Sequence, residues 1–306
     1  MELRVEKLCK RFGTKEVLKD VSFTVNQGEA LGYLGRNGAG KTTTIRILAD
    51  IFRGDSGHVL LDGKPIDYRK VRLGYLPEER GLYPKAKVGE QMVYIGELRG
   101  MTRKSAKKSA RDLLEELEAA EYWSKKLETL SKGNQQKIQL AIAVLHNPDI
   151  VILDEPFSGL DPVNAAMLKK LIVKEVKSNK FVLFSSHQMP YVEEFCNRIC
   201  IINQGEIVLN GRINEIKRAY PRNRIFISPE EDTQAYLKML SANPEWDTIV
   251  SAYKLLDEGL EITLQSAGNK RKLMQMLAAH PLAIDKMHVT EPTLEEIFVE
   301  KAGGLL

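Results

Sequence analysis

Three short runs hold residue types suited to phosphate chemistry. In Gly35-Arg36-Asn37-Gly38-Ala39-Gly40-Lys41-Thr42, two glycines bracket four residues, and Lys and Thr follow at once. Glycines permit backbone angles that turn successive N–H groups toward one point, which makes a nest for an anion. An apolar run before the loop and helical spacing after it set the positive end of a helix beside that nest. Lys41 is then placed for the β- and γ-phosphates of ATP, and the Thr42 hydroxyl for magnesium. Thr43 completes the candidate binding set. The second run, Ile150-Val151-Ile152-Leu153-Asp154-Glu155, buries a strand and sets two carboxylates at its C-terminal end, where open α/β sheets bind ligands. Asp154 is placed to hold magnesium through water. Glu155 is placed to position or deprotonate the water that attacks the γ-phosphate. In the third run, His187 follows an apolar stretch and Ser185-Ser186; it is either a γ-phosphate contact or an ordinary loop histidine.

Such residues need a sheet to align them. Leu3 and Val5, then Val21, Phe23 and Val25, alternate with polar residues and predict half-buried strands. Residues 30–34, 150–153 and 181–184 are near-continuous apolar runs, as expected of parallel strands buried on both faces. Residues 43–52 carry Ile45, Leu48 and Ile51 at helical spacing, and 162–178 reads as a crossover helix. The stretch 85–146 predicts a helical subdomain. It has Met92, Ile95 and Leu98 at threes, a helix behind Thr102 as N-cap, and a third helix from Ser131. Residues 59–61 form a short strand, and 199–202 with 206–209 form a hairpin around Gln204-Gly205. Near Tyr220-Pro221 the pattern restarts. Strands at 224–227, 248–256, 260–264 and 283–289 and helices at 230–240 and 270–279 give the order β-α-β-β-α-β, the split βαβ arrangement. Asp257-Glu258-Gly259 marks a hairpin within it, and a helix at 293–301 follows. The predicted fold is α/β: a P-loop NTPase with antiparallel β and α-helical subdomains over 1–220, then a small α+β, ferredoxin-like domain over 221–306.

A chain that is 43% hydrophobic and 28% charged is globular, which excludes bulk disorder. No apolar run approaches the roughly 18 residues of a membrane span. Residues 1–10 lack the apolar core of a secretory leader. Three cysteines, an odd number, point to a reducing compartment rather than a disulfide framework. Cys196 and Cys200, four apart on an expected helix, read as buried thiols. The net charge of +4 hides an asymmetry: 36 Lys+Arg against 28 Asp+Glu in 1–221, and 9 against 13 in 222–306. That change supports a domain boundary and a basic surface facing something anionic. Arg99, Arg103, Lys104, Lys107, Lys108 and Arg111 run with no acid between them. Without interleaved aromatics they read as a solvated helix face, or as a contact to lipid head groups or a membrane protein.

Leu130-Ser131-Lys132-Gly133-Asn134-Gln135, just before the second run, gives the pattern its most specific element. With it the chain resembles the ATP-binding subunit of ABC transporters over about residues 1–220. The family signature is Leu-Ser-Gly-Gly-Gln; Lys132 stands for its first Gly and Asn134 for its Gln. The resemblance implies that Ser131, Lys132, Gly133 and Asn134 contact ATP bound to a second copy. A serine and free N–H groups at a helix start suit an anion, and a plain helix cap is the alternative. Phe12 falls where the family stacks an aromatic on adenine, and Ser158-Gly159-Leu160-Asp161 resembles the D-loop at the dimer interface. His187 falls on the switch histidine. Glu78 occupies the Q-loop position in place of Gln, and still reaches magnesium or the attacking water. The resemblance further implies ATP and Mg2+ as cofactors, a second nucleotide-binding subunit, and a transmembrane permease as partner. It implies a peripheral location on the cytoplasmic face of the membrane and no nucleic-acid partner. Lys41 and Asp154 are separated by 112 residues, room for a helical subdomain but not for the coiled-coil insertions of chromosome-maintenance relatives. The segments 75–83 and 291–298 look like the drug, antibiotic or sodium exporter branch, whose permease is a separate chain. The rival reading is a non-transport ABC ATPase acting on ribosomes or nucleic acid, with activity stimulated by RNA or DNA.

Overall fold

Alternating and continuous apolar runs set the order of elements. The first part of the chain runs β1 (Glu2–Phe12), β2 (Lys15–Asn26), β3 (Ala30–Leu34), α1 (Lys41–Leu48), β4 (Ser56–Leu61), β5 (Lys64–Pro65) and β6 (Leu73–Leu76). It continues α2 (Val88–Leu98), α3 (Arg103–Glu116), α4 (Lys132–Val144), β7 (Ile150–Asp154), α5 (Pro162–Lys177), β8 (Phe181–Ser185), α6 (Met189–Phe195), β9 (Arg198–Asn203) and β10 (Glu206–Arg212). The remainder is α7 (Ile213–Ala219), β11 (Arg224–Pro229), α8 (Thr233–Ser241), α9 (Trp246–Ile249), β12 (Val250–Leu256), β13 (Gly259–Leu264), α10 (Lys270–Ala278), β14 (Ile284–Val289) and α11 (Leu294–Lys301). This computed structural model describes residues 1–79, 81–230, 232–279 and 283–303; Arg80 and Glu231, inside segments discussed above, lie outside the described residues. The chain divides into two units, Met1–Ile213 with Ile297–Leu306, and Asn214–Glu296.

In the first unit, β1 and β2 pair antiparallel from Glu2↔Asn26 to Phe12↔Lys15, and the sheet order is β2-β1-β4-β5. A second sheet has the order β10-β9-β3-β8-β7-β6. All its neighbours run parallel except the edge pair β9–β10. Strands β3, β7 and β8 are buried at every position, as their apolar runs require. Phe23, Tyr33, Ile45, Ile152 and Leu183 share one core. The parallel register sets Asp154 opposite Ser185 and Leu76 opposite Leu153, so the C-terminal ends of β6, β7 and β8 finish level.

Several local expectations need correction. The strand β6 was not anticipated, because Leu73-Gly74-Tyr75-Leu76 is too short to show a period. The helix expected over 43–52 is α1, and it ends at Leu48; Asp50 then takes a left-handed φ of 57°. Leu98 does not belong to the buried stripe of α2: it is 67% exposed. The buried face of that helix runs through Val88, Met92 and Gly96, and a Cβ at Gly96 would lie 2.8 Å from Ala106 Cβ of α3. Cys196 ends α6, whereas Cys200 lies within β9, so they do not share a helix. Both thiols are buried, and burial pushes their pKa up. The caps do follow the sequence: Thr102 Oγ1 accepts from Ser105 N, and Ser131 Oγ accepts from Asn134 N.

The second unit has the predicted β-α-β-β-α-β order, with α9 added and α7 before it. Its antiparallel sheet runs β12-β13-β11-β14. Trp246 and Ile249 are buried with Tyr236, Leu260 and Leu273, which is why the chain coils into α9 before β12 begins at Val250. Leu256 pairs with Gly259 across the predicted turn. Thr293 and Glu296 form a capping box at the start of α11: Glu296 N donates to Thr293 Oγ1 at 3.1 Å, and Thr293 N to Glu296 Oε2 at 3.0 Å. No described helix is long and apolar enough to cross a membrane.

Candidate nucleotide site

The C-terminal ends of β3, β7 and β8, the segment after β6 and the start of α1 meet at an open cleft of about 890 Å³. Of the residues singled out in the sequence, Gly35, Arg36, Asn37, Gly38, Gly40, Lys41, Thr42 and Thr43 line it, with Glu78, Asp154, Glu155 and His187. Ala39 turns the other way, into the core. Gly40 has φ +113°, and a Cβ there would lie 2.7 Å from Leu18 Cδ2, so both conformation and space demand glycine. Thr44 Oγ1 donates to Gly40 O at 3.0 Å and accepts from Tyr33 OH at 3.1 Å, which ties the loop to β3. Lys41 Nζ donates to the carbonyl oxygens of Gly35 and, at 3.3 Å, Arg36. Burial lowers the Lys41 pKa, while Glu155, Asp154 and Glu78 pull it back.

Asp154 is 2% exposed. Its Oδ1 accepts from Ser185 Oγ, and its Oδ2 is buried with no hydrogen-bond partner among the described residues. Burial raises the pKa of this carboxyl, opposed by the Ser185 hydrogen bond. Glu155 is 8% exposed and has a left-handed φ of 50°. Its N–H donates to Ser185 O at 3.1 Å, and its Oε2 lies 2.9 Å from Nδ1 of the exposed His187. Burial raises the Glu155 pKa and His187 lowers it. The cleft therefore joins a nest of N–H groups, the ammonium groups of Lys15 and Lys41, the Arg36 guanidinium, the buried carboxylates Asp154 and Glu155, the Glu78 side chain and an exposed imidazole. That set can bind a polyphosphate and move a proton from water.

A family model described as ABC transporter matches residues 18–158, and one described as the C-terminal domain of DrrA1-3-like ATP-binding proteins matches 211–302. Over 304 residues, 99% of each chain, the sequence is 38% identical to YhaQ, an uncharacterised ABC transporter ATP-binding protein of Bacillus subtilis. The chain belongs to the ABC transporter ATP-binding proteins. It is also 31% identical over 312 residues, 99% of each chain, to the linearmycin resistance ATP-binding protein LnrL of Bacillus subtilis. A solved ATP-binding subunit of an ABC transporter superposes with a TM-score of 0.66 at 28% identity, covering 71% of this chain and 92% of that one. The resemblance seen in the sequence and the α/β fold class both stand, and the chain is an ABC ATPase.

Other expected site residues of this ABC ATPase lie outside the cleft lining. Phe12 is 50% exposed; its ring meets Phe52 edge-on at 5.8 Å, with Lys10 Nζ 5.5 Å from its centroid. Ser131 caps α4, and Asn134 Nδ2 donates to Tyr122 OH at 2.8 Å. Lys132 is exposed. Gly133 faces residues 160–164: a Cβ there would lie 2.8 Å from Asn164 Nδ2 and 3.5 Å from Leu160 Cδ2. Ser158 and Gly159 are exposed, and Asp161 caps α5 by accepting from Asn164 N at 2.9 Å. Helix α4 also braces the cleft from behind: Gln136 Nε2 donates to Pro156 O at 3.2 Å, and Gln139 Nε2 to Glu79 O at 3.1 Å. Sequence reasoning missed Ser185 as the partner of Asp154, and it missed Lys15, Val17 and Phe298, which also line the cleft. Ser185 was legible in principle, being the last residue of an adjacent parallel strand; the other three carry no local signature.

Proposed function

We propose that this ATPase powers export of a substrate through a separate transmembrane permease. The reading rests above all on the convergence of Lys41, Asp154, Glu155 and His187 on the phosphate-binding loop. The nest and Lys41 take the phosphates, and His187 contacts the γ-phosphate. The residues present suit magnesium, because Asp154 Oδ2 is buried without a partner among the described residues, and Thr42 and Glu78 line the same cleft. Bound magnesium would neutralise charge on the β- and γ-phosphates. Glu155 accepts a proton from water as the water oxygen attacks the γ-phosphorus. The bond to the β–γ bridging oxygen breaks, leaving ADP and phosphate.

Two copies complete the cycle in this reading. Ser131, Lys132, Gly133 and Asn134 of one copy reach ATP held by the other, and residues 158–161 lie along the join. Tighter ATP binding to the closed pair drives the permease, and hydrolysis reopens it. Residues 1–220, joined by the segment from Ile297 on, form the motor, and the rest of 221–306 the accessory domain, at the cytoplasmic face of the membrane. Export is favoured because the match over 211–302 is to the DrrA1-3-like ATP-binding proteins, and because LnrL is named for antibiotic resistance. The test is Glu155→Gln. We expect ATP binding to persist while turnover falls by about 10²–10⁴-fold, and ATP to hold the variant as a dimer in light scattering. Hydrolysis near the wild-type rate would show that another group is the base.

A further inference from the structure

The helix α3 carries its charges in the order that its own backbone disfavours. Arg103, Lys104, Lys107, Lys108 and Arg111 come first, and Asp112, Glu115 and Glu116 follow. Its first turn holds no acid and its last turn no base. A helix start is partly positive and a helix end partly negative, so both groups sit at the wrong pole. The cations also repel one another. Arg103 and Lys107, Lys104 and Lys108, and Lys107 and Arg111 are like charges four residues apart, neighbours along one side of the helix. All five side chains are exposed, while Ala106, Ala110, Leu113 and Leu114 are buried. Arg111 lies over the Trp123 ring, 5.1 Å from its centroid. The other four, and Arg99, make no salt bridge among the described residues, where Glu90 pairs with Lys87 and Glu116 with Lys174. Glu97 shares a groove with Arg103 and Lys107, but Lys104 and Lys108 lie outside it. Helix stability does not account for this band, and an anionic partner does, because it removes the repulsion.

The corner between α2 and α3 adds an apolar tip. Arg99 N donates to Ile95 O, Gly100 N to Glu97 O and Met101 N to Gly96 O, each at 3.0 Å, and Gly100 takes a φ of +83°. These bonds close α2 tightly and bring the chain at once into α3. Leu98 is 67% exposed at this corner, and Tyr94, one helical turn before it, is 50% exposed. Arg99, Arg103 and Lys104 follow Leu98 closely in the chain, so cations flank an exposed apolar side chain.

We propose that this corner and the basic side of α3 lie against anionic phospholipid head groups, with Leu98 and Tyr94 entering the membrane interface. A lipid surface attracts a band of cations through diffuse negative charge and needs no matched acids. Exposed leucine and tyrosine beside the cations suit the boundary between head groups and acyl chains. Nucleic acid would favour aromatics among the cations, and residues 99–111 contain none. This contact belongs to the chain itself and is additional to attachment through a permease.

The test uses the full-length protein without permease or nucleotide, sedimented with phosphatidylcholine vesicles made with or without phosphatidylglycerol. Binding is expected only when phosphatidylglycerol is present, and it should weaken as salt rises. Lys104→Gln, Lys107→Gln and Lys108→Gln together should lose about fivefold per cation, about 100-fold in all. Arginine at the same three positions should keep the binding. Leu98→Ala should lose about tenfold with every charge in place. The triple glutamine variant should keep its basal ATPase activity and should not unfold at a lower temperature, since it removes like-charge pairs. Lys238→Gln, Lys272→Gln and Lys286→Gln together remove the same charge from exposed sites in the second unit and should bind like the wild type. An equal loss in that control would show that net charge alone drives binding and would overturn the proposal. Equal binding to both kinds of vesicle, or undiminished binding by the α3 variant, would overturn it too. Retention on a single-stranded oligonucleotide but not on anionic vesicles would overturn it in favour of nucleic acid, and binding only to vesicles that hold the permease would do so in favour of a protein contact.

Discussion

Two glycines of the phosphate-binding loop separate backbone strain from crowding. Gly38 has φ +80°, and a Cβ there would meet nothing within 4 Å. Gly40 has φ +113°, and its Cβ would meet Leu18 Cδ2 at 2.7 Å, Ile202 Cδ1 at 3.1 Å and Val17 O at 3.1 Å. Placing alanine in a left-handed conformation costs about 1–2 kcal/mol. Restricting the unfolded chain returns about 0.4–1 kcal/mol of that. Gly38→Ala should therefore destabilise the protein by about 0.5–1 kcal/mol. Gly40→Ala adds overpacking of about 1–3 kcal/mol, for a total of about 2–4 kcal/mol. For a unit of this size each kcal/mol lowers Tm by about 2–4 °C, so thermal unfolding of the nucleotide-free protein should fall by about 1–4 °C and about 4–16 °C respectively. The nearest obstructing atom belongs to a side chain, so Gly40→Ala combined with Leu18→Ala should be less destabilised than the sum of the single changes, by about 1 kcal/mol. Equal Tm values for Gly38→Ala and Gly40→Ala would refute the packing of the loop against β2.

Asp154 offers a pH test. Burial raises its folded-state pKa above the unfolded value, so its contribution to stability is fully present below the unfolded pKa and is lost as pH rises through the folded one. Glu155 has the same sign. Asp154→Asn should flatten the decline in Tm of the nucleotide-free protein between about pH 4 and pH 7; parallel wild-type and variant profiles would contradict this. Lys180 and Glu175 form an ion pair whose side chains are 10% and 8% exposed. Lys180→Met leaves a buried carboxylate unpaired and should cost about 3–5 kcal/mol in chemical denaturation, and adding Glu175→Leu should recover most of it.

The local chemistry of this protein was legible in its sequence. Gly35 to Thr42 needs no tertiary contact to be read, because the nest and helix start are built from consecutive backbone N–H groups. The pair Asp154-Glu155 was legible because a run of four apolar residues can end only where the buried strand ends. The caps at Thr102 and Ser131 follow from side chains bonding to N–H groups three residues on. The split βαβ order of the second unit was likewise carried by periodicity and one hairpin turn.

Whatever depends on which strands become neighbours was decided elsewhere. β6 is too short to show a period and exists because β7 offers it an edge. Ser185 meets Asp154 through the register of two strands separated by a whole crossover helix. Leu98 was expected inside and is exposed, because the buried face of α2 runs through Val88, Met92 and Gly96 and Leu98 falls off it. Phe12 ends β1 and Phe298 lies midway along α11, and of these two aromatics Phe298 alone lines the cleft. Sequence alone determined the groups that can hold phosphate and move a proton, because those groups act through consecutive residues. Tertiary structure decided which side chains wall the rest of the cleft, because residues far apart in the chain meet there only after the sheet has set their positions.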